Sequence, residues 1–183
     1  MNEIENALRE LATPVPAELE NQTMFDAGAA DRVSTIDSPF GPVWVAWSTR
    51  GITGLTPRFA CETIAIEAEA LPSMLEQQIT AALEHGETLN VPVDLRGIGD
   101  FQAQVLKACA SIQPGTTRSY GWIAHELANP GAVRAVGTAL GQNPIPLIVP
   151  CHRVVRSDGA IGNYAFGPEM KQQLLVREGA ILA

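Results

Sequence analysis

The residues best suited to covalent chemistry lie together in Asn143-Pro144-Ile145-Pro146-Leu147-Ile148-Val149-Pro150-Cys151-His152-Arg153-Val154-Val155. An apolar run ending in Pro150 brings Cys151 to the mouth of a buried stretch, with His152 beside it. A thiol attacks well only as the thiolate, so such a cysteine needs a base, and the base needs a third group to orient it. Read as extended chain, neighbouring side chains point to opposite faces, so a bridging water is expected to join sulfur and imidazole. Glu178 is the candidate to orient the ring. Taken alone, a Cys-His pair is more often an inert buried thiol beside a hydrogen-bonded histidine.

The remaining cysteines, Cys61 and Cys109, are distant and show no CxxC spacing, and the three histidines are scattered. That argues against a disulfide framework and against a zinc site, so neither a metal nor a cofactor is expected. The composition, 46% hydrophobic and 17% charged, is that of an ordinary soluble globular protein. No stretch approaches the roughly 20 apolar residues that cross a bilayer. The acidic start Met1-Asn2-Glu3-Ile4-Glu5 is unlike a secretory signal. A cytoplasmic protein with no membrane partner is expected, nuclear if the source is eukaryotic.

The net charge of −8 is awkward for a nucleic-acid binder, but it is unevenly spread. Residues 1–100 hold 5 Lys/Arg against 16 Asp/Glu, whereas residues 101–183 hold 7 against 4. Any nucleic acid would therefore meet the C-terminal half, with modest and salt-sensitive affinity.

Three stretches organise the chain. Residues 1–31 read as an acidic extension with no legible function. Residues 32–95 read as a small α+β domain. Val33–Asp37 and Val43–Trp47 are strand-like across the turn Ser38-Pro39-Phe40-Gly41-Pro42, and Gly51–Leu55 could supply a third strand. A helix with Leu75, Ile79, Ala82 and Leu83 on one face stops near Gly86, and Val91–Leu95 reads as an edge strand. Trp44 and Trp47 are expected in the core. Residues 100–183 read as a mostly helical domain, opening with a helix through Phe101, Val105, Leu106 and Ala108 that Gly99 or Asp100 caps.

Within that domain, Ser119 to Ala128 reads as a helix with Ile123, Ala124 and Leu127 inward. Asn129 is placed to cap a second helix, with Pro130 first and Gly131 to about Gly141 following, built of small residues around Arg134. Two short helices with a tight turn suit a DNA-reading helix-turn-helix, although most such pairs are plain packing.

Asn143-Pro144-Ile145 followed by Pro150-Cys151-His152-Arg153-Val154 resembles the active-site signature of the O6-alkylguanine-DNA alkyltransferases, the methylated-DNA–protein-cysteine methyltransferases. Ser119-Tyr120-Gly121, Arg134-Ala135-Val136-Gly137, Gly162-Asn163-Tyr164 and Lys171…Leu174-Leu175…Glu178-Gly179 fall in the family's order. The resemblance is tight over residues 101–180 and loose over about 32–58, through Ser38-Pro39-Phe40-Gly41 and Gly51-Ile52. It implies a ribonuclease H-like N-terminal sheet domain, then a helical domain with a helix-turn-helix.

By that resemblance, Cys151 is the acceptor that takes the alkyl group of O6-alkylguanine, with O4-alkylthymine as a second candidate substrate, once and irreversibly. His152 activates it through a water and Glu178 completes the relay. Asn143 ties the recognition helix to the active-site segment. Arg134 enters the DNA stack as the nucleotide is flipped out, with the small residues Ala135 and Gly137 facing the minor groove. Tyr120 pushes on the target phosphate and donates to the departing base. The substrate pocket would be made by Tyr120, Pro146, Val154, Asn163, Tyr164, Ala165 and Phe166. Backbone groups of Cys151 and Val154 hold the exocyclic amine, and the Ala165 N–H faces O6. The implied partner is double-stranded DNA carrying the lesion, met by a monomer.

The chain departs from the family where Ala165-Phe166-Gly167 replaces a small residue and two glycines, so a reshaped pocket or an outward ring is expected. Leu106 stands where an aromatic is common. No cysteine cluster precedes Arg32, so a phosphotriester-sensing zinc domain is not expected. Competing readings are a non-catalytic alkyltransferase-like damage sensor, a cysteine hydrolase using Cys151 and His152, and a helix-turn-helix regulator with an inert thiol.

Overall fold

Alternation of apolar residues drives the first layer. In the computed structural model, which describes residues 31–57 and 70–182, β1 (Arg32–Ile36), β2 (Val43–Ser48) and β3 (Gly51–Pro57) form an antiparallel sheet in the order β1-β2-β3. Nearly all of the acidic extension, and Cys61, lie outside the described residues. Val43, Val45 and Trp47 turn inward along β2, and Trp47 is buried with its indole N–H donated to Ser34 (2.9 Å).

Helix α1 (Ser73–His85) turns Leu75, Ile79, Ala82 and Leu83 into the apolar cluster it shares with the sheet, and ends at Gly86, whose φ of 74° makes a left-handed cap. Residues 91–95 do not form the expected edge strand. A single bridge joins Ile52 to Val93, through Ile52 N–H to Pro92 O (2.9 Å) and Asp94 N–H to Ile52 O (2.8 Å). The segment is fixed instead by side chains: buried Asp94 accepts from Ser48 Oγ (2.7 Å) and Arg96 Nε (2.6 Å).

The helical part begins with α2 (Asp100–Ala110), capped by Gly99. Then come β4 (Arg118–Ser119), α3 (Tyr120–Glu126), a 3-10 turn (Pro130–Ala132) and α4 (Val133–Gly141). A second 3-10 turn (Cys151–Arg153), β5 (Val154–Val155) and α5 (Pro168–Arg177) complete it. Ser119 caps α3 by accepting from Trp122 N–H (3.0 Å). Helix α3 is shorter than the sequence suggests because Ala128 adopts φ 53°, which turns the chain toward α4. Asn129 precedes Pro130 as expected, but its side chain makes no capping bond, and the second helix starts as a 3-10 turn.

Helices α2, α3 and α4 pack on one another, and β4 pairs in parallel with β5, which locks the start of α3 beside the cysteine segment. One apolar cluster runs continuously from the sheet (Val45, Ile52, Leu55) through α1 and α2 to Ile145, Ile148 and Val154. The fold is therefore a mixed α+β arrangement of a small three-stranded sheet and several helices.

Candidate functional site

Backbone geometry delivers Cys151. After α4, Asn143 folds the chain onto itself: its Oδ1 accepts from Ile145 N–H (3.0 Å) and its Nδ2 donates to Val149 O (2.9 Å) and to the Cys151 sulfur (3.2 Å). Leu55 N–H donates to Pro144 O (2.9 Å), pinning the segment to β3. Leu147 sits at φ 74°, a conformation that a branched side chain adopts only under constraint. Pro150, at φ −80° and ψ 61°, makes an inverse γ-turn closed by Cys151 N–H to Val149 O (2.8 Å). Cys151 thus opens a 3-10 turn, not the extended chain the sequence suggests. The difference arises because this γ-turn already satisfies the amide that a strand partner would have taken.

Behind the sulfur lies a charged network in a nearly dry setting. His152 is 1% exposed, and its Nε2 meets Glu178 Oε1 at 3.0 Å. Glu178 also accepts from Arg153, at Oε2 from Nε (2.9 Å) and at Oε1 from Nη2 (2.8 Å). Arg153 is fully buried and spends its remaining donors on Ile112 O (2.6 Å) and Gly86 O (3.0 Å). Burial raises the Glu178 pKa, but the hydrogen bonds from His152 and Arg153 outweigh it and hold the carboxyl at about 2. A carboxylate only accepts, so Nε2 carries the imidazole proton. Nδ1 is then the bare nitrogen, buried and without a partner among the described residues.

Burial pushes the Cys151 thiol up, against the Asn143 hydrogen bond and the Lys171 charge, and pushes His152 down, against Glu178. The resting pair is therefore neutral thiol and neutral imidazole. Lys171 is itself buried. It donates to Val154 O (2.6 Å) and, at 3.4 Å, to Asn163 O, and burial lowers its pKa to about 8.

In front of the sulfur is a cavity of about 610 Å³. Of the residues expected in the pocket, Tyr120, Asn163, Tyr164 and Ala165 line it, together with Cys151, with Arg134 and Gly137 from α4, and with Thr138, Leu140, Gly141, Arg156 and Gly162. Tyr120 is half-buried and burial raises its pKa, so its hydroxyl keeps its proton at neutral pH. Pro146, Val154 and Phe166 do not line this cavity. Pro146 and Val154 are buried, and Phe166 packs edge-on against Tyr164 (5.5 Å, 87°), beside the cavity wall. Tyr164 in turn stands edge-on to His152 (6.3 Å, 77°). Ala135 is exposed on α4 and borders a separate shallow groove with Phe101. His152 and Glu178 line a smaller cavity of about 270 Å³ beneath Leu147 and Leu174.

Three residues were given no role by the sequence reading. Arg153 and Lys171 stand in the quoted motifs, but nothing in those motifs says that their charges are buried. Arg156 lies outside every motif quoted. Among the described residues no helix is long and apolar enough to cross a membrane.

Residues 100–180 match the family described as 6-O-methylguanine DNA methyltransferase, DNA binding domain. The chain is 40% identical over 151 residues to the methylated-DNA–protein-cysteine methyltransferase of Mycobacterium tuberculosis, covering 79% of this chain and 90% of that one. It is 36% identical to the Methanosarcina barkeri protein of the same name, covering 78% and 94%. To the Regulatory protein ada of Salmonella typhimurium it is 37% identical, and there it spans only 45% of the relative's length. The crystal structure of Mycobacterium tuberculosis OGT in complex with DNA superposes with a TM-score of 0.68 at 41% identity, covering 81% of this chain and 93% of that one.

Proposed function

The chain belongs to the methylated-DNA–protein-cysteine methyltransferase family, and from that premise we propose that it repairs DNA by direct reversal, moving the alkyl group of O6-alkylguanine irreversibly to Cys151. One observation carries the assignment to this thiol. The Cys151 sulfur sits at the wall of a cavity of about 610 Å³, accepts from Asn143, and adjoins a histidine oriented by a buried carboxylate.

The chemistry follows from those atoms. The Cys151 proton passes through a bridging water to Nδ1 of His152, and Glu178 stabilises the imidazolium that results. The sulfur attacks the alkyl carbon, the carbon–O6 bond breaks, and its electron pair stays on the purine. Tyr120 donates to the departing base and the Ala165 N–H faces O6, which spreads the developing charge. The thioether has no good leaving group, so each molecule reacts once. Attack in line with the carbon–O6 bond requires the base to leave the stack. Arg134, exposed on α4 and lining the cavity, is the residue to fill the gap.

The finer assignments belong to the same proposal. Residues 32–95 form a ribonuclease H-like domain and residues 100–183 the DNA-binding and acceptor domain. Helices α3 and α4 act as a helix-turn-helix docked in the minor groove, where Ala135 and Gly137 keep the helix surface low. The protein acts as a monomer. Its placement away from the cavity lining keeps Phe166 from closing the pocket, which disfavours a sensor that binds without reacting.

Intact-mass analysis after mixing with a duplex carrying O6-methylguanine tests the reading. A single gain of one methylene on Cys151 is expected. Turnover without a mass gain, or a gain elsewhere in the chain, would overturn it.

A further inference from the structure

Arg156 stands at the rim of the acceptor cavity, just after β5, and has no part in the proton relay. It begins a tight hairpin closed by Arg156 N–H to Ala160 O (2.9 Å) and Gly159 N–H to Arg156 O (3.0 Å). Its side chain is 62% exposed, yet the guanidinium is held in place by Asp158, through Nη2 to Oδ2 (3.0 Å) and Nε to Oδ1 (3.3 Å). Asp158 is anchored in turn by Ala160 N–H (3.1 Å). The two carboxylate oxygens therefore occupy the Nε/Nη2 fork, the face of arginine that takes a phosphate bidentately.

Gly162 shows what this rim is built around. At φ 73°, a Cβ on Gly162 would stand 3.5 Å from Arg156 Cγ and 3.6 Å from the Tyr120 hydroxyl. The arginine stem and the phenol thus close on one glycine, which brings both polar ends to the same edge of the cavity. The residues lining that cavity include two arginines and no carboxylate.

We propose that Arg156 binds the phosphodiester of the everted nucleotide, exchanging Asp158 for the phosphate when the base enters the cavity. The inference rests on the alkylguanine reading above. A methylated guanine brings no negative charge of its own, so the phosphate is the anion that arrives with it. Asp158 competes with every phosphate that approaches. The exchange is therefore favoured where the extruded base has already drawn the backbone to the rim, and disfavoured on intact duplex. An exposed ion pair is weak enough to give way.

The test is a cycle between protein and DNA. Binding to an O6-methylguanine duplex is measured for wild type and Arg156→Gln, with the phosphate of the lesion nucleotide either native or replaced by an uncharged methylphosphonate. Arg156→Gln is expected to weaken binding of the native duplex about tenfold, the order of one charge-assisted hydrogen-bonded contact. It should also lower the slope of log affinity against log salt by about 1. On the methylphosphonate duplex the penalty should disappear. Equal penalties on both duplexes, or an unchanged salt slope, would overturn the proposal. Asp158→Asn is expected to tighten binding, and weaker binding would overturn the exchange. Methyl transfer to wild-type Cys151, followed in parallel, separates the two failures: without it the alkyltransferase reading itself falls.

Discussion

Gly86→Ala, a change 65 positions from Cys151 in sequence, is expected to slow alkyl transfer. Gly86 caps α1 at φ 74°, and an added Cβ would stand 3.1 Å from Arg153 Nη2 and 3.2 Å from Glu178 Oε1. Neither neighbour can retreat freely. Arg153 is fully buried and tied to Ile112 O, Gly86 O and both oxygens of Glu178, while Glu178 Oε1 also holds His152 Nε2 at 3.0 Å. Relief of the crowding must therefore move the oxygen that orients the imidazole. Gly97→Ala supplies the control, since Gly97 has nearly the same φ, 76°, but nothing within 4 Å of its added Cβ. Both variants should lose about 1–2 kcal/mol from the left-handed backbone. Gly86→Ala should lose a further ~1 kcal/mol from the displaced network, worth roughly 2–4 °C in Tm for a chain of this size. Its single-turnover transfer rate should fall about tenfold, which corresponds to a barrier ~1.4 kcal/mol higher. Gly97→Ala should react as wild type does. Urea denaturation and quenched-flow mass analysis read the two effects separately. Equal stability losses with equal transfer rates would refute the claim that Glu178 geometry limits the reaction.

Two further outcomes follow from the same site. Glu178 has its pKa depressed from 4.5 to about 2 in the folded state, so its ionised form contributes stability that is fully present above pH ~4.5 and lost as pH falls toward 2. At about 1.4 kcal/mol per unit this is on the order of 3 kcal/mol. The stability gap between wild type and Glu178→Gln, measured by urea titration, should therefore narrow across that window; a constant gap would contradict the assignment. Phe166 buttresses Tyr164 edge-on (5.5 Å), a contact of about 0.5–1.5 kcal/mol. Phe166→Gly should shift the ratio of benzyl to methyl transfer rates several-fold by freeing that wall, and identical ratios would show that the ring is irrelevant to adduct size.

Local sequence was a good guide where one residue's neighbours decide its place. Along β2 the expectation held for Trp47 but not for Trp44, which alternation turns to the other face, where it is only partly buried; helical spacing set the buried face of α1, and Gly86 and Ser119 marked a helix end and a helix start. It failed where distant partners decide. Val91–Leu95 has strand composition, but Asp94 is held by Ser48 and Arg96 instead of a ladder. The two-residue pairing of β4 with β5 leaves no periodic trace, and the γ-turn at Pro150 hides inside an apolar run that reads as extended. The burial of Arg153 and Lys171 was illegible for a different reason. Charged side chains are ordinarily exposed, and burial becomes affordable only through carbonyls and a carboxylate supplied by distant parts of the chain.

If Cys151 is the acceptor proposed above, the electrostatics account for how a single-use thiol stays intact until needed. Burial holds Cys151 protonated and His152 neutral, so the resting sulfur is a poor target for oxidants even though it borders an open cavity. The groups that oppose burial are already aligned: Asn143 donates to the sulfur and the Glu178 carboxylate waits on the imidazole. A purine that fills the cavity excludes water from it and strengthens both interactions where charge then develops. On the proposed function, reactivity is then expected to follow occupancy of the pocket and not a permanently ionised thiolate. A consequence is that a small thiol-directed reagent should modify Cys151 slowly in the free protein.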